Sequence, residues 1–192
     1  MVTSHQSAIE AIDRANADDP NTWNDEPLAL AQGRIAHSWV MRLDPTASEA
    51  LQLAARAHHL RRWVVPRASY PEGRPGYLRW RRDQKQRHAA ELSEILTAAG
   101  VEPATVARAS AIVAKLGLGR DPEVQVFEDA VCLTFVETQF DTTADRLDAD
   151  LMVDVVAKTL AKMSDAGRSA ALTLELDARA TSIVTEALAR LA

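Results

Sequence analysis

The 192-residue sequence is short of cysteine, glycine and aromatic residues, and each shortage excludes something. The lone Cys132 can close no disulfide within the chain, so the fold must rest on packing rather than on covalent staples. Its place in the apolar run AVCLTF marks it as a buried, inert thiol. No apolar run is long enough to span a bilayer, and the opening stretch MVTSHQSAIEAIDRAN is amphipathic rather than a signal-peptide core. A soluble, cytoplasmic protein with no membrane partner is expected. Nothing makes a phosphate-cradling glycine loop: GLGRDP reads as a helix stop and restart, and GRPG as a turn. Strand-like alternation, internal repeats and low-complexity tracts are missing as well.

What the sequence does have is helical periodicity in a chain that is 47% hydrophobic, enough for a packed core. The length suits one domain over residues 1–192. Ala8, Ile12 and Ala15 predict a first helix from Ser4 to about Asp18, and ADDPNTWNDEP reads as a loop. Leu28, Ala31, Ile35 and Trp39 predict a second helix over 28–43, ended by Pro45. Ser48 is a candidate cap for a third, running to about Val64. A loop over 66–76 follows, stiffened by Pro66, Pro71 and Pro75. Further helices are expected at 77–99, 103–116 and from Pro122 through VQVFEDAVCLTFVETQF. The last are expected at 144–163, 168–174 and 178–191, with Asp177 capping the final one. The fold class expected is all-α, a bundle of about eight helices.

Charge is distributed very unevenly. Between Arg56 and His88 lie ten cations, nine of them arginine, against Glu72 and Asp83 alone, a surplus of eight. The whole chain carries −5, so the remainder is strongly acidic. Arginine grips planar oxyanions through paired donors, so Arg62, Arg67, Arg74 and Arg79, with Tyr77 beside them, are candidate substrate-binding residues. The alternative is that these arginines pair with acids elsewhere and brace the loop. The helix–loop–helix segment 55–96 is therefore the candidate site.

Histidines gather in the same place. On a third helix reaching Val64, His58 falls beside the apolar stripe and His59 opposite it, either at the surface or on the floor of a cleft. His88 lies on the apolar side of the next helix, three residues before Glu91. Glu128 and Asp129 sit inside an almost wholly apolar helix. Burying a bare carboxylate is costly, so at least one should meet a cation, an arginine or a polar cavity. These two are the candidate catalytic acids.

The string PRASYPEGRPGYLRWRRDQKQRHA, with ARAHHLRRW before it and EDAVCLTFVE after it, resembles the family called domain of unknown function 4202. The resemblance runs from DPNTW to KMSDAGRSAALTL, nearly the whole chain, and implies no established activity. More distantly, the order His37, His58/His59, His88, Asp129 resembles the HD-type metal phosphohydrolases. Those proteins hold a divalent cation in a helical bundle, so the resemblance implies these five residues as metal ligands. Zinc, manganese, iron or nickel would suit such donors. The second position reads His-His where those enzymes have His-Asp. Two functions follow as expectations. One is a metal-dependent phosphohydrolase acting on a phosphorylated small molecule or nucleotide. The other is a non-catalytic helical module that binds an anion, RNA or a protein through the basic face.

Overall fold

A threonine hydroxyl starts the first helix. Thr3 Oγ1 accepts the Gln6 N–H and opens α1 (Ser4–Asn16) in the computed structural model, which describes residues 3–144 and 149–191. The expected loop after it holds two short antiparallel strands that sequence alternation did not predict, β1 (Thr22–Trp23) and β2 (Glu26–Pro27). Asn24 and Asp25 turn the hairpin with φ of 48° and 62°, a conformation these two residue types tolerate well. Asp19 ties the hairpin's base down, accepting from the Asn21 and Ala29 N–H groups at 2.9 Å each. α2 (Leu28–Leu43) then has the predicted bounds.

Ser48 caps α3 (Glu49–Arg56) as expected, but the helix stops well short of Val64. His59 and Arg61 take left-handed backbone conformations, φ 59° and 47°, and short 3₁₀ turns follow at Arg62–Val64 and Arg67–Ser69. Distant side chains take up the backbone groups that a continuing helix would pair. Asn16 Oδ1 accepts the Arg61 N–H at 3.0 Å. Arg87 donates to the Arg61 carbonyl, Gln84 to those of Arg62 and Val65, and Trp80 Nε1 to that of Val65. The last three of these side chains come from α4 (Gly73–Ala98), which starts four residues before the predicted Tyr77.

α5 (Pro103–Val113) ends before the predicted Leu116, where Lys115 turns left-handed at φ 59°. α6 (Pro122–Ala144) follows, then α7 (Ala149–Leu160), α8 (Asp165–Ala171) and α9 (Ala178–Ala189). The helix expected from Ala144 to Met163 includes 145–148, which lie outside the described residues. α8 begins three residues before the predicted Arg168 because Ser164 caps it, and Asp177 caps α9 as predicted.

The chain is all-α apart from the hairpin. α6 lies against α2, α3, α5, α7 and α8 and buries Val124, Phe127, Ala130, Leu133, Val136 and Phe140. Burying a side chain the size of Phe127 or Leu133 contributes about 2 kcal/mol, so α6 anchors the core. Gly33 lets α2 close on the end of α3: a Cβ there would lie 2.3 Å from the Arg56 carbonyl oxygen. That approach sets the start of the irregular segment carrying both histidines. Among the described residues no helix is long and apolar enough to cross a membrane.

Candidate functional site

Because α3 stops at Arg56, His58 and His59 turn in together toward α4 and α6. They line a cavity of about 270 Å³. Their rings stack with centroids 3.7 Å apart and planes inclined at 30°. His88 reaches the same cavity from α4, its ring 6.3 Å from that of His59, and Phe127 meets the edge of His58 at 6.4 Å. His59 Nδ1 lies 2.7 Å from Gln32 Oε1. The cavity also receives Arg62, Arg81, Lys85, Lys115 and Lys162, against Glu128 as the one carboxylate among the described lining residues.

The electrostatics follow from burial beside these cations. Burial holds His58 well below the usual imidazole range, with Lys115 and Arg62 acting the same way. Burial does the same to His59, helped by Arg62 and His58. His88 falls to about 3 through burial and the nearby Arg62 and Arg87. All three imidazoles are neutral at pH 7. Arg62, packed 4.5 Å over the Trp80 ring, is lowered to about 10 by burial and by Arg81, and keeps its charge. Burial would raise Glu128, but its ion pair with Lys115 outweighs this and holds the carboxyl below its ordinary value. Cys132 lines the cavity with its thiol pushed up to about 12 by burial and then by Glu128, so it stays inert as expected.

The predicted site residues divide. His58, His59, His88, Glu128, Arg62 and Tyr77 come together around the cavity. His37 does not: it projects from another face of α2, near Gln52 and Arg56, where burial and then Arg56 lower its basicity. Asp129 does not either. It accepts from the Ser164 N–H at 2.9 Å, the Ser164 hydroxyl and Gln125 Nε2, and so braces the start of α8. Gly167 is required beside it, since a Cβ there would lie 2.6 Å from Asp129 Cγ. Arg67 is spent on the loop, donating to the carbonyls of Tyr70, Pro71 and Gly73. Arg74 and Arg79 are exposed on α4 outside the cavity lining. Glu91 pairs with Arg87 at 2.6 Å, apart from the cavity.

A divalent cation of the kind implied above needs three or four donors converging on one point. Among the described residues no group of three or more His, Cys, Asp or Glu is arranged to hold one. The stacked rings of His58 and His59 carry lone pairs in nearly parallel planes, and Asp129 is committed to Ser164. The donors as placed do not fit the ion.

Arg81, Gln84, Lys85, Lys115 and Lys162 were not picked out from the sequence. A signal for the first two was present. Tyr77, Arg81, Gln84 and His88 follow one another at steps of three and four, a polar stripe on one face of α4. Lys115 and Lys162 sit at helix ends, where a lysine reads simply as a partner for the helix dipole.

No curated protein and no solved structure matches this chain. A family model does, over residues 6–184, under the description domain of unknown function 4202. That span takes in α1 through most of α9 and every residue lining the cavity, and the chain belongs to that family.

Proposed function

We propose that the cavity binds a small phosphorylated molecule. One observation carries this reading: five cationic side chains face a space of about 270 Å³ where the one carboxylate among the described lining residues, Glu128, is already paired with Lys115. Neutral imidazoles leave that positive charge unopposed and add no further cation. Arg62, Arg81, Lys85 and Lys162 are the residues to grip phosphate oxygens, arginine through paired N–H donors and lysine as a point charge. The volume is at the small end of the range for ligand pockets, which favours a single phosphorylated metabolite over a nucleic-acid strand.

Metal-dependent hydrolysis is the weaker reading, because it needs a donor set that the described residues do not bring to one point. The anion-binding reading makes no such demand. Titration calorimetry of the full chain with inorganic phosphate, repeated at increasing salt, tests it. Saturable binding that weakens with salt and falls about tenfold in Arg62→Met supports the assignment. No heat with phosphate or simple phosphate esters overturns it. Binding to oligonucleotides that is unaffected by Arg62→Met would move the function to the exposed basic face.

A further inference from the structure

His88 Nε2 is a buried ring nitrogen of this cavity with no partner among the described residues, and a chain of hydrogen bonds decides what the neighbouring ring of His59 offers. Thr138 Oγ1 lies 2.8 Å from the Thr134 carbonyl oxygen, which can only accept, so the hydroxyl's single proton is committed there. Thr138 Oγ1 must then accept from Gln32 Nε2 at 3.0 Å. That turns Gln32 Oε1 toward His59, 2.7 Å from Nδ1. An amide oxygen cannot donate, so Nδ1 carries the ring's proton. A neutral imidazole has only one, and the lone pair of His59 is therefore on Nε2. Burial among Arg62, His58, His88 and Lys115 keeps the ring in that neutral form.

Gln32 and Thr138 are both buried, and their bonds to His59 and Thr134 leave little freedom to reverse this order. The left-handed backbone at His59 is a local cost that serves to bring the ring to the cavity wall. Opposite, His88 Nε2 is buried in a residue only 5% exposed and has no partner among the described residues. A phosphate dianion cannot satisfy a lone pair, since its oxygens only accept. A hydroxyl can.

We propose that the ligand is a phosphorylated polyol, its phosphate on the basic wall and a hydroxyl donating to His59 Nε2. This rests on the anion-binding reading and narrows it to sugar and polyol phosphates. His88 Nε2 is the second position for a hydroxyl of the same molecule. The imidazoles thus set specificity while the cations supply the attraction.

The test pairs esters that differ only in hydroxyls: glycerol 3-phosphate against propyl phosphate, and ribose 5-phosphate against pentyl phosphate, titrated into the full chain. At least one polyol should bind about tenfold or more tightly than its alkyl partner, the cost of leaving a buried polar atom unpaired. In His59→Asn, whose side chain tolerates the left-handed backbone, that ratio should fall at least about threefold, His88 keeping the remainder. Long-range ¹H–¹⁵N spectra of the unliganded wild-type chain should show His59 protonated at Nδ1 only. Equal affinity for ester and alkyl partner in both pairs overturns the inference and leaves the anion-binding reading standing. So does a His59 protonated at Nε2. Binding of none of the four overturns both.

Discussion

Glu128 and Asp129 are neighbours on α6, both almost wholly buried, yet they serve different parts of the molecule. A step of one residue turns a helix by about 100°, so the first faces the cavity and the second the turn before α8. Glu128 answers a cation, Lys115, while Asp129 answers neutral donors, the Ser164 N–H and hydroxyl and the Gln125 amide. A buried carboxylate can thus be stabilised by charge at a binding site or by hydrogen bonds in a structural corner. Only the first kind leaves a residue whose removal changes what the site attracts.

The largest effect is expected at the structural corner. Asp129→Ala strips the acceptor from Ser164 and Gln125 and should cost about 3 kcal/mol in urea unfolding, with phosphate affinity in the folded protein kept. Loss of phosphate binding with unchanged stability would reverse the two roles. Next comes pH. His88 has a folded pKa of about 3, below its unfolded value, so the unfolded chain binds more protons as the pH falls between those values. The contribution is complete above the unfolded pKa near 6.5 and declines below it, amounting to about 2 kcal/mol lost by pH 5. Comparing unfolding midpoints of the wild type and His88→Gln between pH 7 and 5 isolates it: the substitution should lessen the slope, with His58 and His59 supplying what remains.

Smaller effects refine the cavity side. Arg62→Met should weaken phosphate by about tenfold in calorimetry, the loss of one charge-assisted contact. Glu128→Gln removes the one negative charge among the described lining residues and should tighten phosphate by about threefold, whereas Asp129→Asn should leave the affinity unchanged. Smallest of all, Arg74→Ala and Arg79→Ala, on the exposed side of α4, should shift stability by less than about 0.5 kcal/mol and phosphate affinity not at all.

Much of the helical framework was legible because its signals are local. α2 needed only its apolar period and flanking prolines, and Ser48 and Asp177 only their cap positions. The end of α3 was not legible. AARAHHLRRW favours helix residue by residue, and its apolar stripe continues past Arg56. Partners as remote as Asn16, Gln84 and Arg87 override that preference, and nothing near position 58 reveals them. The same error separated His58 from His59 on a helical wheel, when in the folded chain they stack. The basic segment was legible as a charge surplus but not in its parts, because charge does not say which arginine will bind a carbonyl. Arg67 and Arg87 do so, and Arg62 faces the cavity.

Thr138 shows how far from a ligand its identity can be written. Its methyl-for-hydroxyl exchange, Thr138→Val, would alter no cavity-lining atom. It would release the Gln32 amide to rotate end for end and present its nitrogen to the ring instead of its oxygen. In the flipped orientation the imidazole would bear its hydrogen on the opposite edge, and a pocket built to receive donors would ask for acceptors. A single silent-looking valine would thereby unfix the polarity of recognition without moving a wall.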